Sequence, residues 1–290
     1  MRLLLLRFAL FLIWLFSRLP WPLLRRAGEA FGLLFYWSSS YRRRIVRVNL
    51  GLCFPHLPEQ ERTQIMRDHF KAAGRSLLER GVLWWSSPAA IRKMVRIEGL
   101  EHLREAGSRS VILLVPHFVG LDMGALRLSM EIPLTGVYGP QRNKRMDAFI
   151  RRGRARFSME LISRKLGVWP ILAALREGKP LYYLPDQDYG RRNAVFVDFF
   201  GIPASTLTGL PRLAKMADAI VVPCVTYQTR DGYVTRLYPA WDAYPSDDVQ
   251  VDTRRMNAFI EERVREAPAQ YYWLHRRFKT RPPGEASLYR

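Results

Sequence analysis

The sequence is poor in cysteine, poor in acid and poor in uninterrupted apolar runs. Its two cysteines, Cys53 and Cys224, lie far apart in apolar stretches. They read as buried free thiols in a reducing compartment, not as a disulfide framework. No cysteine–histidine spacing suited to zinc occurs, so no metal is expected. Acid is outnumbered: 26 Asp and Glu against 46 Lys and Arg leave a net charge of +20. Such a chain seeks polyanions, and nucleic acid, anionic lipid and an acidic carrier protein all qualify. The abundance of Trp, Phe and Tyr excludes a disordered basic tail. Long Gly/Ser/Pro linkers, internal repeats and low-complexity blocks are missing too. The 290 residues are therefore expected to form one main domain.

What the amino terminus has is a broken apolar segment, "MRLLLLRFALFLIWLFSRLPWPLLRRAG". Its clean run, Phe8 to Ser17, falls short of the roughly 20 apolar residues that a spanning helix needs. On a helix Arg7, Arg18 and Arg25 fall close in angle, because steps of 11 and 7 residues nearly close whole turns. A narrow basic stripe on a wide Leu/Phe/Trp surface suits a helix lying in a membrane interface, or a tilted anchor. No small-residue cleavage site follows at the distance a signal peptide requires. Residues 1–26 are thus expected to anchor the chain, and 27–290 to form the main domain. Next comes "YRRRIVRVNLGLCFP", whose arginines could face lipid headgroups. His69 reads as an ordinary helix-face histidine.

From Val95 onward, short apolar runs alternate with helical patterns. Candidate strands are "VRIEG", "SVILLV", "LTGVYG", "GVWP", "LYYLP", "AVFVDFF", "AIVVPCVTY" and "YVTRLYP". Candidate helices are "LDMGALRLSM", "RMDAFIRRGRARF", "WPILAALREG", "LTGLPRLAKMA" and "TRRMNAFIEERVREA". This alternation predicts an α/β fold: a mixed, largely parallel sheet flanked by helices. "TRDGY" predicts an antiparallel hairpin between the last two strands.

The stretch "SVILLVPHFVGLD" carries the first chemical signal. Its apolar run reads as a buried strand stopped by Pro116. His117 then sits where the strand leaves the sheet, and Asp122 in the first turn of the next helix. Ligands and catalysis collect at the carboxyl ends of strands in open α/β sheets. A histidine is the natural general base near neutral pH. It needs an acceptor on its second ring nitrogen, and Asp122 is the candidate. With no serine or cysteine nucleophile nearby in sequence, the arrangement suits a base that deprotonates a substrate hydroxyl for direct attack on an activated acyl carbon. H-x4-D alone is also compatible with a strand-end histidine whose hydrogen bonds are merely satisfied.

The pattern gains specificity in company. The order "HFVGLD", "RRGRARF", "LPDQDYG", "IVVPC" resembles the four blocks of the lysophospholipid acyltransferase superfamily. "NLGLCFP", "GVYGP", "PDQDYGRRNAVFVDFFGIPASTLTGLPRLAKMA" and, above all, "PAQYYWLHRRFKTRP" resemble one branch, the late lipid A acyltransferases. The resemblance covers nearly the whole chain. It implies a glycerol-3-phosphate-acyltransferase-like fold with an N-terminal membrane-anchoring helix, and makes residues 27–290 the acyltransferase domain. It implies His117 as base and Asp122 as its orienting carboxylate. The acceptor would be a hydroxyl on an acyl chain of a Kdo-modified tetra-acylated glucosamine disaccharide, the lipid A precursor. The donor would be a thioester on acyl carrier protein, with no separate cofactor. The place would be the inner membrane of a Gram-negative bacterium, with the site facing the cytoplasm. One departure stands out: Gly139 in "VYGP", where the related pattern often has arginine. Arg142, Lys144 and Arg145 are candidates to compensate.

Phosphates on such an acceptor need cations. Arg154 is the first candidate, because a guanidinium binds phosphate in a bidentate fork. Asp186, Gln187 and Asp188 follow an apolar strand, and Asp186 is a candidate to bind sugar hydroxyls or to position Arg154. Gly190 fits a turn, and Thr206 and Thr208 fit a cap on the following helix. The tail "HRRFKTRP" sets Arg276 and Arg277, with His275, Lys279 and Arg281, beside Trp273 and Phe278. That mixture suits nucleic acid or an anionic phospholipid surface; next to an anchor the membrane is favoured, and nucleic acid is not expected. Two other readings remain open. One is acylation of a lysophospholipid or another glycolipid. The other is a non-catalytic basic protein whose polyanion binding is steeply salt-dependent and indifferent to His117→Ala.

Overall fold

The computed structural model describes residues 2–141 and 143–289; the side chains of residues 2–7 and 9 lie outside that description, as does Arg142. Four helices lead: α1 (Arg2–Phe16), α2 (Trp21–Ser38), α3 (Ser40–Cys53) and α4 (Glu59–Leu78). Pro22 sits in the first turn of α2, where its missing N–H removes no helical bond. α2 and α4 cross at glycines. A Cβ on Gly32 would stand 2.1 Å from the Phe70 carbonyl oxygen, and one on Gly74 2.4 Å from that of Gly28. The expected anchor boundary at residue 26 therefore falls inside α2, whose Leu24, Gly28, Gly32 and Tyr36 are buried. No helix among the described residues is long and apolar enough to cross a membrane.

The rest of the chain alternates. α5 (Arg80–Trp85) and α6 (Pro88–Met94) precede β1 (Val95–Glu98), α7 (Glu101–Arg104), β2 (Val111–Leu114), α8 (Leu121–Leu128) and β3 (Leu134–Tyr138). Then come α9 (Lys144–Arg154), β4 (Met159–Ser163), α10 (Trp169–Arg176), β5 (Leu181–Tyr183), β6 (Ala194–Phe199) and β7 (Ile202–Leu207). α11 (Gly209–Ala217), β8 (Ile220–Gln228), β9 (Tyr233–Leu237) and α12 (Val249–Glu266) complete the order. The main sheet runs β1-β9-β8-β2-β5-β3-β4. Its pairs are parallel except for the β8–β9 hairpin. This is the mixed, largely parallel α/β sheet that the alternation predicts.

β2 is central, and its apolar run splits between two cores. Ile112 and Leu114 pack on one face of the sheet, Val111, Leu113 and Val115 on the other. A strand covered on both faces cannot alternate with polar residues. The tail closes over the first core with Tyr271, Trp273 and Phe278.

Two elements differ from the sequence expectation. "GVWP" is not a strand: Gly167 turns at φ +76°, and Trp169 and Pro170 open α10. The strand there is "MELIS", β4, with Met159 and Ile162 buried and Glu160 exposed. It is a half-polar edge strand, hidden by the basic residues around it. "IPASTL" is also a strand, β7, pairing with β6 in a separate two-stranded ribbon. Thr206 therefore lies buried in a strand, and the Thr208 hydroxyl donates to the Asn193 carbonyl at 3.2 Å. Neither side chain caps α11.

Candidate active site

The parallel order puts the carboxyl ends of β2 and β5 side by side, and the site begins there. Val115 N–H bonds the Tyr183 carbonyl at 2.9 Å, extending the pairing beyond β2. The chain then turns at Pro116 and presents His117. Asp186, three residues past β5, takes His117 with both oxygens. Oδ2 accepts the backbone N–H at 2.9 Å, and Oδ1 stands 2.6 Å from Nδ1. The proton therefore belongs on Nδ1, and the Nε2 lone pair is left for a substrate. The carboxylate on His117 is Asp186, not Asp122 as the spacing suggested. The imidazole leans toward the neighbouring strand, while Asp122, in the first turn of α8, faces α9.

The carboxyl-terminal segment fixes the same residues from the other side. Tyr272 N–H donates to the His117 carbonyl at 2.8 Å, and Val119 N–H to the Gln270 carbonyl at 2.9 Å. Burial alone would raise the pKa of Asp186. The His117 ring and its hydrogen bonds, with the Arg277 charge behind, outweigh burial and hold it at about 2. Tyr271 is pushed well above the ordinary phenol range, by burial first and then by the Asp186 charge. His275 is brought close enough for the His117 charge to act on it. Burial first, then that charge, lowers it to about 4, so it is neutral.

Asp122 organises cations instead. Arg154 grips its Oδ1 from Nε at 3.0 Å and Nη2 at 2.9 Å, and Arg80 Nη2 lies 3.5 Å from Oδ2. Burial raises the Asp122 pKa, but Arg154 and Arg80 more than offset this and keep it ionised. Two guanidiniums around one carboxylate leave a net positive charge beside His117. Gly153 allows this placement: a Cβ there would collide with the Trp84 indole at 1.6 Å. Trp84 thus packs against the backbone just before Arg154. Gly120 and Gly124 do the same for α8, which lies directly on Thr226 of β8.

A model of the bacterial lipid A biosynthesis acyltransferases matches residues 2–280. The chain belongs to this family. It is 38% identical to the lipid A biosynthesis lauroyltransferase of Escherichia coli K12, over 96% of this chain and 92% of that one. It is 34% identical to the palmitoleoyltransferase of the same strain, over 97% and 93%, and 35% identical to its myristoyltransferase, over 93% and 84%. A solved 1-acyl-sn-glycerophosphate acyltransferase from Thermotoga maritima is 11% identical, with a TM-score of 0.40 over 82% of this chain and 96% of that one.

The remaining sequence candidates of this family member divide sharply. Gln187 is half-buried at the mouth and accepts the Tyr189 hydroxyl at 3.2 Å. Asp188 is not free to meet a substrate. Its carboxylate accepts Gly190 N–H at 2.9 Å, Thr280 N–H at 2.6 Å and the Thr280 hydroxyl at 2.7 Å. It staples the tail to the β5 loop. Arg277 is fully buried, over the Phe199 ring, and donates to the Ser205 carbonyl at 3.0 Å and the Thr206 hydroxyl at 2.8 Å. It cannot reach a substrate or a lipid surface from there. Arg276 is exposed. Of the arginines in α3, Arg42 is spent on the Leu274 carbonyl at 2.7 Å and Arg43 on that of Trp37 at 2.7 Å, while Arg44 and Arg47 stay exposed. His69 is buried, with Nδ1 3.0 Å from the Ala269 carbonyl. Lys144 and Arg145 are exposed at the start of α9. Sequence reasoning missed Arg80: it lies far upstream of Asp122, and no spacing marks it.

Proposed function

We propose that this lipid A biosynthesis acyltransferase moves a fatty acyl chain from a carrier thioester to a hydroxyl on the acyl chain of a phosphorylated glucosamine disaccharide. The observation that carries the reading is His117, locked through Nδ1 by Asp186 with Nε2 left free at the carboxyl end of the central strand, beside the cations that Asp122 holds. His117 Nε2 takes the proton from the acceptor hydroxyl. The alkoxide attacks the thioester carbonyl, and the tetrahedral intermediate collapses with loss of thiolate, which recovers the proton from His117. Asp186 stabilises the imidazolium between the two transfers. No residue becomes acylated. No serine or cysteine is hydrogen-bonded to His117 among the described residues, and burial pushes the Cys224 thiol up to about 12. Arg154, its charge half answered by Asp122, keeps donors for a substrate anion.

Acyl carrier protein is our proposed donor, because an acidic carrier suits a chain of net charge +20. The tetra-acylated lipid A precursor is the proposed acceptor. The parallel sheet with its base at a central strand end supports a glycerol-3-phosphate-acyltransferase-like fold. We propose that α1 and the outer face of α2 lie in the inner membrane of a Gram-negative bacterium. Phe11, Leu15, Leu23, Leu34 and Trp37 are exposed there, more apolar surface than a soluble domain leaves to water, and Arg44 and Arg47 would meet anionic phospholipid. The site would face the cytoplasm, where carrier thioesters are made. The test is transfer of labelled acyl from carrier to the tetra-acylated precursor by wild type and His117→Ala in parallel. Transfer by the first alone is expected. Equal transfer by folded His117→Ala refutes the mechanism, and no transfer by membrane-bound wild type refutes the substrate pair.

A further inference from the structure

β8 outruns its neighbour. β2 pairs with Ile220–Pro223 only, whereas β8 continues to Gln228 against β9. The hairpin ladder closes one residue later, where Thr229 N–H bonds the Gly232 carbonyl at 2.9 Å. The N–H and C=O of Gln228 therefore point to the other edge, where the chain after β2 has already turned away at Pro116. A buried strand end cannot leave both groups without partners, and Gln228 is buried. The carboxamide of Gln270 answers them together. Its Oε1 accepts Gln228 N–H at 2.6 Å, and its Nε2 donates to the Gln228 carbonyl at 3.0 Å. A side chain stands in for the missing strand.

The same residue reaches the turn 117–119 that presents His117. The Gln270 backbone carbonyl accepts Val119 N–H at 2.9 Å, and the Val119 carbonyl accepts the Ser76 hydroxyl at 2.7 Å. The Gln228 side chain donates to the Ala72 carbonyl at 3.1 Å. Ala72 and Ser76 lie one turn apart on α4, so the bonds close into a ring: α4, Gln228, Gln270, Val119 and α4 again. Beside the ring, Phe118 bridges to Tyr271, and Tyr272 N–H holds the His117 carbonyl at 2.8 Å. His117 is thus held from two sides, by Asp186 at its ring and amide and by this ring of bonds two residues on. Gln270 is the link that carries the sheet to the turn.

We propose that Gln270 is a positioning residue for acyl transfer: its carboxamide ties the turn 117–119 to the end of β8 and so aims His117 Nε2 at the acceptor hydroxyl. This rests on the acyl-transfer reading above. Gln270 acts through the turn and not on the reacting atoms. Without its carboxamide the Val119 N–H keeps its acceptor, but that acceptor is no longer fixed to the sheet, and the turn drifts with the tail. The cost falls on the alignment of Nε2 with the hydroxyl, where a displacement of about 1 Å lowers the rate about 10²-fold. Substrate binding, which other residues carry, is spared.

The experiment compares wild type with Q270A and the isosteric Q270E, at a temperature at which each is fully folded by circular dichroism. Q270E keeps an acceptor for Gln228 N–H but sets a carboxylate against the Gln228 carbonyl. Two readouts are taken: transfer kinetics from acyl carrier protein to the tetra-acylated precursor, and amide hydrogen exchange. In both variants kcat is expected to fall about 10–100-fold, with the donor and acceptor KM within about twofold. The Val119 and Tyr272 amides should exchange about tenfold faster or more, while Ile112–Leu114 of β2 exchange as in wild type. A mere brace of the fold would release β2 together with the turn, and that pattern overturns the proposal. So does an unchanged kcat, or a loss that falls on either KM. If one variant does not fold, the other carries the test; if neither folds, Gln270 is a brace and the proposal is overturned. If wild type transfers nothing, the acyl-transfer reading fails, and the exchange comparison alone decides whether Gln270 holds the turn.

Discussion

Asp186 holds His117 at two points, backbone N–H and ring Nδ1, at 2.9 and 2.6 Å. One carboxylate thereby sets both where the histidine sits and which nitrogen carries its proton. Asp186→Asn keeps the shape but can no longer dictate the tautomer. It is expected to lower kcat on the order of 10³–10⁴-fold with little change in the acceptor KM. Asp122→Asn should instead raise the acceptor KM more than it lowers kcat. Steady-state kinetics on both variants checks this; a larger kcat loss in Asp122→Asn would return the orienting role to Asp122.

Arg154 and Asp122 form a pair whose value lies in placement. Single variants Arg154→Ala and Asp122→Ala each raise the acceptor KM, but the double variant should be far from additive. A coupling energy of about 1–2 kcal/mol in the kcat/KM cycle is expected for groups in direct contact. Additive losses would mean that Asp122 serves something other than Arg154.

How much of this was readable in advance follows from where the information sits. The β2 run and Pro116 are local, and they placed His117 correctly. Asp122 is the nearest carboxylate in sequence, but the sheet order decides which carboxylate is nearest in space, and β5 enters next to β2 after two intervening strands. The same limit hid Arg80. Arg277 misled for another reason: in a tail of basic and aromatic residues, nothing local marks the one arginine that folds inward onto Phe199. β4 was obscured because an edge strand needs only one apolar face, and "MELIS" is too short to show its alternation beside "RRGRARF".

Asp188 joins chain segments about ninety residues apart through the two donors of Thr280, and holds its own loop through Gly190 N–H. Asp188→Ala leaves the half-buried Gly190 and Thr280 N–H groups without their acceptor, and about 1–3 kcal/mol of stability should be lost. Thermal unfolding checks this. Because the tail also pairs with residues 117–119, activity should fail at a lower temperature than in wild type.

His69 carries the pH prediction. Burial, partly offset by the Ala269 carbonyl, lowers its pKa from 6.5 to about 4. The folded state therefore binds this proton less well than the unfolded chain does. The stabilisation is complete above pH 6.5 and is lost as pH falls toward 4. The loss is up to about 3 kcal/mol when His69 is protonated in both states. His69→Asn, which can still donate to Ala269, should flatten the stability profile over that window in urea titrations. An unchanged slope would assign the acid sensitivity to other groups.

The crossing of α2 and α4 gives the sharpest test of packing. Gly74 meets the backbone of Gly28 and Gly32, with a hypothetical Cβ 2.4 Å from one carbonyl oxygen and 2.5 Å from one amide nitrogen. Neither is the flexible end of a side chain, so the helices themselves must separate to admit even alanine. Helix propensity favours alanine over glycine by about 1 kcal/mol, and overpacking opposes it by about 1–3 kcal/mol or more where backbone must move. The clash should win, and Gly74→Ala should lower the unfolding midpoint. Arg75 on α4 and Glu79, which caps its carboxyl end, tie it to Thr229 and Tyr233 of the β8–β9 hairpin. A shift of α4 is thus passed to the sheet, so the effect should appear as global destabilisation and not as local fraying of α2. Gly51→Ala, on α3 with open space around it, is the control: there propensity acts alone, and stability should rise slightly. If both variants behave alike, the close helix crossing does not hold in solution.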